Sequence, residues 1–172
     1  MAEETKEEAR QRVIEQITRA FDGVGREDGI SFYEARAIDD YATDALRAEA
    51  RALDTDTRWQ DVPEEDIEHG SLSLNYFDPK GFRYYLPAYM IWSLRNYETT
   101  KYATPSSTVR RLQLDDDPDS HECSLPRFRL LNSDQSAAVC AFLRYMEAHS
   151  EELADDAHKA LNDHWSEFCA GE

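Results

Sequence analysis

The chain has 172 residues, with 19 Lys and Arg against 36 Asp and Glu, so its formal net charge is −17. So acidic a balance argues against direct binding to nucleic-acid phosphates or anionic membrane surfaces, both of which recruit clustered Lys and Arg. Hydrophobic residues make up 41% and aromatics 11%, enough to fill the core of a single domain over residues 1–172, so the acidity does not imply disorder. No apolar run approaches the roughly 20 residues that span a bilayer, and the charged stretch Met1–Arg10 lacks the apolar core of a signal peptide. The expectation is a soluble, cytoplasmic protein.

From about Ala2 to Phe21, Val13, Ile14, Ile17, Ala20 and Phe21 recur at helical spacing and predict one apolar stripe. Gly23, Gly25 and Gly29 then break the chain. Ser31-Phe32-Tyr33-Glu34 has the form of a capping box with Ile30 as its staple, which predicts a second helix from Phe32 to about Leu53. Residues 54–70 are polar, anchored by Trp59 and Val62, with a helical turn near Pro63. Leu72, Leu74 and Tyr76 alternate with polar residues, and Asp78-Pro79-Lys80-Gly81 fits a turn into a partner strand, Phe82 to Leu86. Pro87 opens a third helix, Ala88 to Asn96.

Beyond Tyr97 the pattern weakens. Thr99 to Thr108 reads as a loop, Leu112 and Leu114 as a brief extended piece, and Asp115 to Asp119 as an acidic loop. Asn132-Ser133 caps a strongly apolar helix ending near His149, and a last helix spans about Glu151 to Cys169 with Leu153, Ala157, Leu161, Trp165 and Phe168 on one stripe. The fold class expected is α+β: about five helices packed around a small antiparallel β-hairpin.

Known catalytic patterns fail one after another, so no catalytic residue, metal or cofactor is assigned. Cys123, Cys140 and Cys169 are odd in number and widely spaced, which favours free structural thiols. His158 and His164 are six apart, off the four-residue spacing that lets two ligands meet one metal on a helix. Counted as an EF-hand loop from Asp54, the sequence places Trp59 where the sharp turn needs Gly; counted from Asp115, it places Ser120 there and Pro126 at the twelfth position. Asp54-Thr55-Asp56-Thr57 mimics an aspartate-nucleophile phosphatase phrase, but a helical pattern precedes it where a buried parallel strand is required.

The densest region is Tyr76 to Tyr102, which holds nine of the 19 aromatic residues and four bases against two acids. Its rings suit core packing, and they also suit a ligand surface, with Tyr84, Tyr85, Tyr89 and Trp92 as walls and Arg83 or Arg95 meeting an anionic group. Within it, Gly81-Phe82-Arg83-Tyr84-Tyr85-Leu86-Pro87-Ala88-Tyr89-Met90 resembles the signature of a family of small, mostly bacterial proteins of unknown function. Gly29-Ile30-Ser31 with Glu34-Ala35, the Arg58-Trp59 pair, Leu131-Asn132 and Gln135 also resemble it, so the likeness covers about Phe21 to Tyr145. The resemblance implies a shared fold and no activity.

Four acidic clusters remain: Glu3–Glu8, Asp54–Asp66, Asp115–Asp119 and Glu151–Asp156. An acidic surface gives solubility, and a salt-adapted proteome shows it everywhere; gathered on one face, the same charge steers a basic partner protein into contact. The leading expectation is a non-enzymatic interaction protein that neutralises a basic partner, as an immunity protein does a nuclease toxin. The alternative is a small-molecule-binding or enzymatic domain built on the aromatic cluster.

Overall fold

A computed structural model describes residues 4–169. Among them the regular structure is nine α-helices and four short 3-10 turns, with no strand. The α+β expectation is therefore corrected to an all-helical fold. The helices are α1 (Lys6–Ala20), α2 (Phe32–Asp39), α3 (Asp44–Arg51), α4 (Glu64–His69), α5 (Pro79–Asn96), α6 (Thr104–Arg111), α7 (His121–Arg129), α8 (Ser133–His149) and α9 (Ala154–Asp163). The 3-10 turns lie at Trp59–Asp61, Ser73–Asn75, Pro118–Ser120 and Trp165–Phe168.

The expected hairpin is the start of α5, for a definite reason. A type I turn and the first turn of a helix share nearly the same backbone angles, so Asp-Pro-Lys-Gly satisfies both. Here the Asp78 carboxylate accepts from the backbone N–H of Gly81 at 3.0 Å and Pro79 opens the helix, so the chain continues as helix. Pro87 does not end it; α5 runs on through Pro87 to Asn96. Twelve of its residues are buried, including Phe82, Tyr84, Tyr85, Leu86, Tyr89 and Met90. With most of its circumference buried, the helix shows no broad polar face, so its sequence carries no helical stripe. The partner "strand" at 72–76 is the 3-10 turn Ser73–Asn75.

The second expected helix is two. The Glu34 half of the capping box forms, its carboxylate accepting from Ser31 N–H at 3.4 Å. The helix then stops at Asp39 in a Schellman motif: Ala42 N–H donates to Ala37 O at 2.9 Å and Tyr41 N–H to Ile38 O at 3.0 Å. Tyr41 takes the left-handed position, φ 56°, where glycine is usual. Thr43 then caps α3 through Leu46 N–H.

Other boundaries move less. The first helix begins at Lys6 with a Thr5–Glu8 capping box, and the part of the expected stretch at 2–3 lies outside the described residues. Pro63 stands just ahead of α4. The expected loop at 99–108 carries most of α6, and α7, with Pro126 inside it, had no sequence signal at all. Leu112 is buried at the end of α6 without extended pairing. Asn132 and Gln135 form the capping box of α8. The last expected helix ends at Asp163, and the 3-10 turn that follows sinks Trp165, its indole N–H donating to Leu112 O at 2.7 Å.

The buried apolar residues form a contiguous cluster from Ala9 to Trp165. α5 runs through it and touches α1, α4, α6, α7 and α8, while α8 packs against α1 and α9. The expectation of free thiols at Cys140 and Cys169 is corrected: they form a disulfide with Cα atoms 5.4 Å apart, joining α8 to the segment after the last turn. Cys123 is free and exposed. Sequence could not have paired these two, since 29 residues separate them and only the packing of the last turn against α8 brings them together. Disulfides persist in oxidising compartments, so this bond lends no support to the cytoplasmic expectation. No helix among the described residues is long and apolar enough to cross a membrane.

Candidate functional site

The start of α5 is locked to the loop before α2. Asp78 Oδ1 accepts from Ile30 N–H at 2.7 Å as well as capping α5, and a Cβ added to Gly81 would collide with the Ile30 carbonyl. This junction brings Arg26 and the start of α2 over Tyr84 and Tyr85. The Arg26 guanidinium donates to the Tyr85 hydroxyl at 3.0 Å and lies 5.8 Å from the Tyr84 ring centroid. The Tyr85 oxygen also accepts from Phe32 N–H at 3.1 Å.

The loop after α3 closes this cluster from outside. Tyr84 donates its hydroxyl proton to Asp56 Oδ2 at 2.7 Å, and Arg26 Nη1 stands 3.7 Å from the same oxygen. Asp54 Oδ2 accepts from Tyr33 N–H at 3.0 Å, and the Tyr33 hydroxyl donates to Asp66 Oδ1 at 3.0 Å. Burial pushes the Asp54 carboxyl above the usual carboxylate range, and the nearby Asp56 charge adds to that. Burial likewise raises the Tyr84 and Tyr85 hydroxyls, helped by Asp56 and Asp54, so both stay protonated.

Over this floor lies a recess of about 310 Å³ lined by Tyr33, Leu53, Asp54, Thr55, Asp56, Thr57, Asp61, Pro63 and Asp66. Four of these are aspartates. Arg26 meets Asp56 from within, and Arg58 stands 3.6 Å from Asp61 on the surface. Such a lining accepts hydrogen bonds from a guanidinium or ammonium group and repels anions. Among the described residues no group of three or more His, Cys, Asp or Glu is placed to hold a metal ion.

The residues proposed from sequence do not form one pocket. Tyr84, Tyr85 and Tyr89 are fully buried, and the Tyr89 hydroxyl donates to Gly70 O at 2.7 Å. Arg83 lines neither this recess nor that of Trp92, and donates to Glu27 at 3.0 Å. Trp92 and Arg95 line a separate recess of about 80 Å³ with Trp59 and Ile91, where Arg95 stands 3.7 Å from Glu64. Twelve residues of helix separate the two arginines, roughly 18 Å along the axis. The Asp54-Thr55-Asp56 phrase was visible in the sequence, but as a phosphatase mimic. Asp66 and Tyr33 join it only through packing.

The fold and recess define a helical domain with a carboxylate-lined surface. The profile described as Family of unknown function (DUF6714) matches residues 9–169, and the chain belongs to that family. No curated protein and no solved structure matches it.

Proposed function

We propose that this protein is a non-enzymatic interaction protein that binds and neutralises a basic partner protein. The observation that carries the reading is that Asp54, Asp56, Asp61 and Asp66 all line one recess. Scattered carboxylates give solubility alone, whereas carboxylates focused on one concave face raise the local concentration of a cationic partner and speed its docking. The small-molecule reading has less support. The tyrosines it needs are buried with partnered hydroxyls, and the Trp92–Arg95 recess falls well below the roughly 300 Å³ at which small-molecule sites begin.

The test is co-purification from the source cell followed by titration calorimetry at low and high salt. Association with a basic protein that weakens steeply as salt rises is the expected result. Failure to retain any basic protein at either salt concentration sinks the reading.

A further inference from the structure

Two residues of the described chain other than glycine hold a positive φ of 56°, Glu27 and Tyr41. Glu27 repays the strain: its carboxylate binds Lys80 at 2.9 Å and Arg83 at 3.0 Å, tying the loop before α2 to α5. Tyr41 does not. Its side chain is 96% exposed, although a bulky residue in this region of backbone space is strained and glycine would serve the Schellman motif better. A ring held in solvent at a cost to the fold is the kind of outlier that points toward function.

The adjacent helix repeats the pattern. None of the eight residues of α3 is buried, and it packs on α2 alone among its substantial contacts. Arg47 and Arg51 turn inward to share the Glu34 carboxylate, at 3.1 Å and 2.8 Å. Leu46 on α3 and Leu53, in the turn just past its end, stand 52% and 64% exposed. Leu53 also forms part of the wall of the aspartate recess. Between Asp39 and Asp56 there are six carboxylates and two guanidiniums, both already engaged with Glu34.

Exposed apolar side chains in so acidic a segment select their occupant by charge. A second copy of this chain would bring the same carboxylates against these, and an anionic membrane would be repelled. We propose that Tyr41, Leu46 and Leu53 are the docking surface for an amphipathic helix of a basic protein. Its apolar side lies on the two leucines and the tyrosine, and its Lys or Arg side chains meet the flanking carboxylates, one of them entering the recess. This inference rests on the basic-partner reading and gives it an address.

The test uses the full chain and two labelled peptides of identical Lys and Leu composition, one patterned as an amphipathic helix of about 15 residues and one scrambled. The patterned peptide binds the natural protein more tightly than the scrambled one, and the affinity falls with salt. Tyr41→Gly and Leu53→Gln each weaken that binding by about tenfold or more. The melting temperature of Tyr41→Gly meanwhile holds or rises by about 2 °C, which separates binding from folding. Equal affinity for both peptides, or unchanged binding by Tyr41→Gly, overturns the docking surface while leaving the basic-partner reading standing. Binding of neither peptide at low salt overturns both. Self-association of the protein that Tyr41→Gly abolishes would make the occupant a second copy and overturn the proposal.

Discussion

α5 and α3 are two helices at opposite extremes of burial. Twelve of the eighteen residues of α5 are buried, and none of the eight of α3 is. The difference sorts the tyrosines by role. Those of α5 hold the molecule together, each with its hydroxyl satisfied inside, while Tyr41 beside α3 projects into solvent. Aromatic density, the most conspicuous feature of the sequence, therefore marks the core, and the candidate binding surface lies where the sequence looks merely acidic.

If that division is right, the largest effects on stability come from α5 and its surroundings. Tyr89→Ala removes a fully buried ring and its hydrogen bond to Gly70 O. The cost expected is about 3–5 kcal/mol, read as a lower denaturation midpoint in urea. Loss below 1 kcal/mol would mean that the core closes around the gap and that α5 is less central than its burial implies.

Next comes the covalent clamp on the same side of the comparison. The Cys140–Cys169 bond closes a loop of 29 residues, for which chain entropy gives a stabilisation of about 3–4 kcal/mol. Reduction, or a Cys169→Ser variant, should lower the melting temperature by a corresponding amount. The α3 surface lies elsewhere in the fold, so binding of the basic peptide should persist in the reduced protein at temperatures where it remains folded.

A smaller effect sits between the two regions, at Asp54. Its carboxyl is raised by burial, so the folded state binds the proton more tightly than the unfolded chain does. This contribution to stability is complete below the ordinary carboxylate pKa and is lost as pH rises through the raised value. Asp54→Asn keeps an acceptor for Tyr33 N–H and removes the buried charge. The variant should therefore gain on the natural protein as pH rises from 4 to 7, in thermal melts at matched pH. A difference that stays flat over that range would show that Asp54 ionises freely. The same substitution should weaken capture of a cationic side chain, because the recess loses one of its four carboxylates.

The sequence showed more of the periphery than of the centre. α1 and α9 were legible because each has one apolar stripe, and α8 because a strongly apolar run follows the Asn132-Ser133 cap. α5 was not, because burial of most of its circumference blurred its stripe and because Asp78-Pro79-Lys80-Gly81 is chemically ambiguous between a turn and a helix start. The break between α2 and α3 was hidden by Tyr41, which occupies the left-handed position without announcing it as glycine would. α6 and α7 begin or continue through Pro105 and Pro126 in polar surroundings, so tertiary contacts rather than local pattern decide them. Of the candidate site, the Asp54–Asp56 pair could be seen but not its floor. Tyr84 and Arg26 reach it from 28 and 30 residues away, a juxtaposition that only the packed chain contains.

The smallest expected effect on folding is the sharpest test of the comparison. Leu46 is 52% exposed on a helix that buries nothing, and Gln has nearly the helix propensity of Leu. Leu46→Gln should leave the denaturation midpoint within about 0.5 kcal/mol of the natural protein, as exposed substitutions generally do. A leucine in α5 could not be exchanged so cheaply: Leu86→Gln would bury an amide in an apolar core. A loss of 2 kcal/mol or more at Leu46 would mean that α3 rests on the core through this side chain, and that its apolar face is structural. If stability holds while affinity for the patterned basic peptide falls, the leucine is kept for what it touches outside the molecule.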